Sequence, residues 1–262
     1  MTQFESIISM YHSIHSEFIE TPLLRILEEG IQACRPLGDG IQTEPMKEYF
    51  LSSLFLRMTG AQEQKLKCIL WELATHNYNV RYKWAFRGDA DFSFGEMSVK
   101  KDKQRLYKIL RESVEKMQGG PFKHSCLGCD GVKAIRNQVV ALLKTSTVSE
   151  VWLKPGLDFV CDDNCFLPHS SNSNENNYGD HTVLLGGRLG MDYEDIVYRH
   201  RNRCAHNLTS YQRCCENLDS LKDKNYPRKN YVYRFIILIL IDKIFMELYE
   251  RYKELVEMNL WI

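Results

Sequence analysis

Apolar side chains recur at intervals of three and four residues along most of this 262-residue chain, and few stretches alternate as strands do. This spacing is typical of helices that bury one face. The first such stripe runs from Phe4 to about Ile31. Pro22 divides it into two helices or one kinked helix, because proline lacks the backbone N–H that a helix interior requires. We therefore expect an all-α protein.

The same pattern predicts a second helix from Met46 to Met58. The next residues, Thr59-Gly-Ala-Gln62, match a capping box, in which a Thr and a Gln three residues later satisfy the free N–H groups at the start of a helix. We therefore expect a new helix to begin there and to run through Leu73, so that the chain folds back on itself.

Four more helices are predicted in the rest of the chain. They run from Lys101 to Met117, from about Gly131 to Leu143, from Asp192 to about Leu208 and from Tyr231 to Met258. Gly119 and Pro121 end the first of them, and Asp192 is expected to cap the third. The apolar run Phe235–Ile241 should lie in the core of the fold.

Residues 154–190 are expected to form an irregular loop insertion. Their centre, Ser170–Asn177, offers no side chain to bury, and three glycines interrupt the last part of the segment. No internal repeat or linker divides the chain. We predict a single all-α domain over residues 1–262, an antiparallel bundle of about seven to nine helices. Two domains are the alternative.

Composition and charge exclude several classes of protein. With 44% apolar and 26% charged residues the chain is neither disordered nor fibrous, and 34 basic residues balance 34 acidic ones, so no net positive field indicates a nucleic-acid or membrane partner. The start of the chain lacks a secretory signal, and the longest apolar run is far shorter than the roughly 18 to 20 residues that span a bilayer. We expect a cytoplasmic protein with no membrane partner.

Residues 100–144 are locally basic, with eleven Lys or Arg against four Asp or Glu. The commoner interpretation of such a segment is a solvated helix face. The other is a surface that faces a structured RNA such as a tRNA, which reversing the charges of Lys100, Lys101 and Lys103 would test.

One short stretch stands apart from the rest of the sequence. Tyr198-Arg-His-Arg-Asn-Arg-Cys-Ala-His-Asn207 packs three arginines and two histidines into ten residues of a predicted helix. Within it, Arg201-Asn202-Arg203-Cys204-Ala205-His206 resembles the signature of the HEPN superfamily, an arginine, usually a polar residue such as Asn, and a histidine four to six residues on. The helical pattern and the position ahead of a long final helix are also similar to that superfamily.

The resemblance implies an HEPN-like helical bundle that acts as a metal-independent endoribonuclease, with a site formed where two copies of the motif face each other in a homodimer. It implies an RNA substrate, 2',3'-cyclic phosphate and 5'-hydroxyl ends, and no required cofactor. Because such enzymes often serve as toxins of toxin–antitoxin pairs or in antiviral defence, it also implies a protein partner that inhibits or activates. The alternative is a non-catalytic HEPN-like module that binds RNA or a nucleotide, or dimerises.

The resemblance assigns the catalytic roles to Arg201, Asn202 and His206. An imidazole, with an unperturbed pKa of about 6.5, moves protons near neutral pH, and a guanidinium offers permanent charge and forked donors to phosphate oxygens. Asn202 then orients the phosphate or the imidazole. Arg199 and Arg203 are candidate RNA-binding residues that contact further phosphates.

Helical geometry qualifies the assignment of Arg201. On a regular helix Asn202 and Arg199 lie about 40° and 20° from His206, but Arg201 lies about 140° away. Three explanations are open. The helix departs from regular geometry near Arg201, the long side chain of Arg201 reaches around the helix, or Arg201 contacts the site of the partner subunit. His200 faces elsewhere and is expected to be a bystander. In a purely structural interpretation, His206 and the arginines instead pair with Asp192, Glu194 and Asp195.

Nine cysteines in a chain with no export signal are expected to be mostly reduced. The pairs Cys126-x2-Cys129 and Cys161-x3-Cys165 have the donor atoms for a four-thiolate structural zinc site that would staple the loop. Unpaired thiols are the commoner interpretation.

Aromatic residues cluster in one short region, at Trp71, Tyr78, Tyr82, Trp84 and Phe86. Core packing is the commoner role for such residues. A surface on which nucleobases stack is the other interpretation.

Overall fold

A computed structural model describes residues 15–38, 40–85, 97–127, 129–146, 148, 152–161, 185, 188–206, 224 and 226–259. These residues are predominantly helical and contain no strand, which confirms the all-α prediction. Within them, no helix combines the length and the apolar character needed to cross a bilayer.

We number the α-helices α1 to α11 in chain order. They are α1 Ser16–Glu20, α2 Leu23–Cys34, α3 Glu44–His76, α4 Tyr78–Ala85, α5 Lys100–Gln118, α6 Cys129–Lys144, α7 Lys154–Cys161, α8 Arg188–Asp192, α9 Arg199–His206, α10 Tyr226–Lys229 and α11 Tyr231–Asn259. A 3-10 turn, Ile41–Thr43, precedes α3, and a π-helical turn, Tyr193–Tyr198, joins α8 to α9.

The predicted break at Pro22 is confirmed. Helix α1 ends at Glu20 and α2 begins at Leu23, so the stripe of apolar residues forms two helices. The backbone N–H of Leu23 donates to the carboxylate of Asp242 at 2.9 Å, which satisfies one of the free donors at the start of α2.

The predicted restart at Thr59 is wrong, because α3 runs without interruption from Glu44 to His76. The hydroxyl of Thr59 donates to the carbonyl of Leu56 at 2.9 Å, and the amide of Gln62 donates to the carbonyl of Leu238 at 3.0 Å. The two side chains that matched a capping box therefore bond a carbonyl of their own helix and a carbonyl of α11, and the chain does not fold back there.

The predicted helices around residues 100–144 and at the end of the chain are confirmed. Helix α5 ends at Gly119, whose φ of 73° is the left-handed conformation that favours glycine at a helix end. The run Phe235–Ile241 of α11 is buried, as predicted.

Part of the predicted loop insertion is helical. Helix α7 occupies residues that we expected to be irregular, and Leu157 and Val160 are buried. At Gly156 the helix passes so close to Asn230 that a Cβ would lie 2.5 Å from its side-chain oxygen, so glycine here serves packing and not a loop. Residues 162–184, with the polar stretch Ser170–Asn177, lie outside the described residues.

The described residues divide into two compact units. The first unit draws on 1–22, 63–122 and 245–262, and the second on 23–62 and 123–244. In the first, the Tyr107 ring packs edge-on to Phe245, and in the second Phe55 packs edge-on to Tyr231. Each unit combines segments that are distant in sequence. A division of this kind leaves no linker in the sequence, so the sequence pattern alone favours a single domain.

Candidate active site

The motif residues lie on α9, which continues directly from the π-helical turn Tyr193–Tyr198. Such turns occur often at functional sites, since the inserted residue changes the direction in which the following side chains point. From Arg199 onward the helix is a regular α-helix. The helix is thus irregular near Arg201, but the irregularity ends before both Arg201 and His206 and leaves the angle between them unchanged, so side chains must bridge that angle.

Asp192 holds the start of the π-helical turn. Its carboxylate is buried and accepts hydrogen bonds from Arg228 of α10 and, at 2.7 Å, from the hydroxyl of Tyr233 of α11. The prediction that Asp192 caps a helix is wrong, because α8 has already begun four residues earlier and its side chain makes no capping bond. A buried carboxylate needs such partners, and these two tie the segment to α10 and α11.

Arg234 holds the middle of the same turn. This buried arginine donates from Nε to the carbonyl of Ile196 at 3.2 Å, and its guanidinium lies over the Tyr231 ring, 4.9 Å from the centroid. We did not identify it from the sequence, although it is the one charged residue in the apolar stretch Tyr231–Ile241. A single charged residue within an apolar stretch is the sequence feature that indicates a buried arginine with bonding partners.

His200 holds α9 itself against the core. The imidazole is buried, its Nε2 lies 3.2 Å from the hydroxyl of Tyr231, and its ring packs 5.1 Å from that of Phe55. Burial, with the positive charges of Arg234 and Arg203, lowers the pKa of His200 well below its usual value, so the ring is neutral. The expected bystander therefore anchors the motif helix.

The opposite side of α9 faces solvent. His206 is exposed, and Asn202, one helical turn before it, is half-buried. Arg199 and Arg203 are exposed; Arg199 pairs with Asp195 at 3.1 Å, and Nη2 of Arg203 lies 3.4 Å from Nδ1 of His200. The arginine pairing expected from the purely structural interpretation is thus present at Arg199.

Arg201 is half-buried, and its guanidinium reaches the neighbouring Asn202. Nη1 donates to the side-chain oxygen of Asn202 at 3.2 Å. Because Asn202 and His206 are four residues apart on one helix face, this bond brings the Arg201 guanidinium towards the face that carries His206. The contact corresponds to the explanation in which the side chain of Arg201 reaches around the helix.

Cys204, also within the motif, lies on the core side of α9. Its sulfur is 3.5 Å from Nε2 of His200, and the hydroxyl of Ser52 on α3 donates to it at 3.6 Å. The side chain is half-buried and free of disulfide bonds. Cys204 therefore adds a contact between α9 and α3 on the side of α9 that faces the core.

The described residues leave the zinc prediction untested. Cys126 is buried just before α6, and Cys161 is exposed at the end of α7. The side chain of Cys129 and all of Cys165 lie outside the described residues, so the four-thiolate arrangement stays a prediction. Burial raises the pKa of another thiol, that of Cys34, to about 11, which is typical of an inert core cysteine.

The locally basic residues 100–144 do not form one solvated surface. Lys103 and Arg111 are buried, and Nε of Arg111 donates to Glu115 at 2.8 Å. The segment also contributes residues 100–122 to the first unit and 123–144 to the second. Charge reversal at Lys103 would therefore disturb the core, and it does not test RNA binding.

Three of the clustered aromatic residues are exposed, so the core packing expected for them is wrong. Trp71, Tyr78 and Tyr82 expose 53%, 65% and 45% of their surface. The rings of Tyr78 and Tyr82 are stacked, and Arg81 lies over the Tyr78 ring. The side chain of Trp84 and all of Phe86 lie outside the described residues.

The motif helix thus presents an imidazole, an amide and several guanidinium groups on or beside one exposed face. Its other face is anchored by His200 and Cys204, and Asp192 and Arg234 hold the π-helical turn before it. These groups have the donors and the charge to bind a phosphodiester, and the imidazole can transfer protons. Comparison of the chain with protein-family models, with curated proteins and with solved structures finds no match.

Proposed function

We propose that this protein is a metal-independent endoribonuclease of HEPN type that cleaves RNA to 2',3'-cyclic phosphate and 5'-hydroxyl ends. The observation that carries the proposal is the arrangement on α9, where His206 is exposed, Asn202 lies one turn before it and the guanidinium of Arg201 bonds to Asn202. The sequence motif alone leaves Arg201 and His206 on different sides of a helix, and the bond to Asn202 supports their acting at one phosphate.

The chemistry requires one proton to leave the 2'-hydroxyl and one to reach the leaving group. The 2'-oxygen attacks the phosphorus, the bond from phosphorus to the 5'-oxygen breaks, and the 5'-oxygen is protonated. His206 accepts the proton of the 2'-hydroxyl and donates it to the 5'-oxygen, and Arg201 stabilises the charge that develops on the phosphate oxygens. Asn202 positions the guanidinium, and Arg199 and Arg203 contact neighbouring phosphates.

The anchored side of the helix supports this role. Enzymes must hold reacting groups in place to within a fraction of an ångström, and groups on rigid elements are held better than groups on loops. On the core side of the segment, Asp192 and His200 bond to tyrosines of α11, and Arg234 of α11 donates to the carbonyl of Ile196 in the π-helical turn. They are positioning residues in this proposal, since they act through the helix and not on the substrate.

The direct test is cleavage of a structured RNA such as tRNA by the purified full-length chain in excess EDTA, with the product ends mapped. We expect cyclic phosphate ends from the wild type. His206→Ala should slow cleavage about 10²- to 10⁴-fold, the usual contribution of a positioned acid–base group. His15→Ala, which removes a half-buried histidine that belongs neither to the motif helix nor to the cluster of exposed aromatic residues, is the matched control and should keep the wild-type rate.

Arg201→Ala should also abolish most cleavage, whereas Arg57→Ala, at a side chain that is 63% exposed, should not. Cleavage by His206→Ala at the wild-type rate would refute the assignment. If the wild type binds RNA but cuts none, with or without a protein that activates it, the protein is a non-catalytic HEPN-like module.

The homodimer belongs to the same proposal, because one motif face is open and a second copy would enclose the phosphate. Sedimentation should show a dimer at the concentrations that give cleavage. Toxicity on expression, lost in His206→Ala, would support a role in a toxin pair or in defence, where a partner restrains the activity.

A further inference from the structure

We infer that the end of α3 and helix α4 form a binding platform for single-stranded nucleic acid, built from Trp71, Tyr78, Arg81 and Tyr82. All four residues belong to the first unit, whereas the motif helix belongs to the second. The inference extends the proposed function, from which it takes RNA as the nucleic acid.

The exposed rings are the first observation. Large apolar side chains normally lie inside a protein, and a cluster of them at the surface usually marks a place where something binds. Tyr78 and Tyr82 are exposed and stacked on each other, with centroids 6.1 Å apart and planes inclined by 23°. A base can extend such a stack, because every base presents a flat π-face, whatever its identity.

The charge of the segment decides between a nucleic acid and a protein as the occupant. From Trp71 to Tyr82 the sequence has one acidic residue, Glu72, which is buried and pairs with His76 at 3.9 Å, whereas Arg81 is exposed. The guanidinium carbon of Arg81 is 5.5 Å from the centroid of the Tyr78 ring, so the positive charge lies beside the stacked pair. A strand whose bases stack on the rings places its phosphates next to this charge, whereas a protein partner would need acidic groups to match it.

The platform is held by backbone structure. Asn77 separates α3 from α4, and its side-chain oxygen accepts hydrogen bonds from the backbone N–H groups of Asn79 and Val80 at 3.0 and 3.3 Å, as a helix cap does. The backbone N–H of Asn77 still bonds to the carbonyl of Leu73 at 2.8 Å. Tyr78 and Tyr82 are therefore four residues apart on a capped helix, which presents their rings together.

The test measures binding of a fluorescent single-stranded oligoribonucleotide of mixed sequence by anisotropy, in the His206→Ala background so that nothing is cleaved. Replacing both rings, Tyr78→Ala with Tyr82→Ala, should weaken binding at least about 10-fold, since a stacked base contributes roughly a factor of ten or more. The paired conservative change to Phe should stay within about twofold, because stacking needs the ring and not the hydroxyl. Tyr49→Ala, at a tyrosine of the second unit that is 57% exposed, is the matched control and should bind normally.

Arg81→Glu provides a second route should the double alanine variant fold poorly. It should weaken binding and lower the dependence of affinity on salt, because one phosphate contact is lost. An oligodeoxyribonucleotide and a fully paired RNA duplex complete the series. Equal binding of single-stranded DNA and RNA supports the platform and removes the preference for RNA, whereas tighter binding of the duplex overturns it.

Unchanged affinity in the double alanine variant overturns the inference. So does a loss of affinity that accompanies dissociation of a dimer in sedimentation, because the rings would then form a contact between two copies of the chain. Failure of the nuclease proposal looks different. In that case the wild type leaves RNA uncut, while the effect of the tyrosine substitutions on binding persists.

Discussion

The molecule uses the same pair of side chains, an arginine over a tyrosine ring, in two opposite ways. In the second unit Arg234 lies over Tyr231, and both residues are buried. In the first unit Arg81 lies over Tyr78, and both are exposed. The distances from guanidinium to ring centroid are similar, 4.9 and 5.5 Å.

The difference lies in what else each pair bonds. The buried guanidinium also donates to a backbone carbonyl, and the hydroxyl of Tyr231 lies within hydrogen-bonding distance of His200, so the pair joins α11 to the motif segment. A charge removed from water is stable only with such partners. The exposed pair keeps its hydration, and its rings stay accessible to a ligand. The same chemistry therefore stabilises the fold in one place and offers a binding surface in the other.

The largest expected effect is a difference in stability between two variants, each of which truncates one of these arginines to alanine. Arg234→Ala should lower the free energy of unfolding by about 3 kcal/mol, because it leaves a cavity and deprives the carbonyl of Ile196 of a donor. Arg81→Ala should change it by no more than about 0.5 kcal/mol, as is usual for a surface residue. Urea denaturation followed by circular dichroism measures both, and equal losses in the two variants would remove the distinction.

The second prediction concerns His200 and pH. The folded protein holds this imidazole neutral with a lowered pKa, and the groups around it are Arg203 and Cys204 on its own helix, Tyr231 and Arg234 on α11, and Phe55 on α3. The unfolded chain therefore binds a proton near pH 6.5 that the folded protein does not. The neutral, buried His200 therefore contributes its full stability above pH 6.5. As the pH falls from 6.5 towards the lowered pKa of the folded protein, the free energy of unfolding decreases by at most about 1.4 kcal/mol per pH unit.

His200→Gln removes the titrating group and keeps a polar side chain. Relative to this variant, the wild type should lose stability between pH 6.5 and pH 5. Chemical denaturation at each pH measures the difference. Parallel curves for the wild type and His200→Gln would mean that His200 is not held neutral.

The smallest effect separates the two tyrosine hydroxyls. Tyr231→Phe removes the partner of Nε2 of His200 and should lower the free energy of unfolding by about 1 kcal/mol, the typical cost of one lost buried hydrogen bond. Tyr78→Phe should leave stability unchanged, because its hydroxyl is exposed. Thermal melting of both variants checks this, and a destabilised Tyr78→Phe would show that the hydroxyl of Tyr78 contributes to the stability of the fold.

Local patterns predicted the helices well and their connections less well. Pro22 and Gly119 act within one or two turns of the backbone, so the breaks that they cause follow from sequence. Thr59 and Asp192 matched capping patterns equally well, yet neither begins a helix. Thr59 lies within the continuous helix α3, and Asp192 lies in a helical segment that starts before it and is bonded to Tyr233, more than forty residues later.

The candidate site also combines features that follow from neighbouring residues with features that depend on distant contacts. Arg201, Asn202 and His206 were identified as a spacing of residue types along a helix, and the structure adds the bond from Arg201 to Asn202. His200, Asp192 and Arg234 could not be given their anchoring roles in advance, because each role depends on a partner more than thirty residues away in the sequence. The exposure of Tyr78 and Tyr82 could not be predicted either, because aromatic residues at helical spacing usually pack in a core, and the spacing does not show which faces stay open.

What the sequence determined by itself is the helical class, the boundaries of several of the longer helices and the short motif, because periodicity, proline, glycine and residue spacing act over neighbouring residues. Only the tertiary structure decided which of two histidines is buried under the motif, which of two arginine–tyrosine pairs meets solvent, and which helices tie the π-helical turn in place. Burial depends on which distant segments pack together, and that packing is a property of the whole chain.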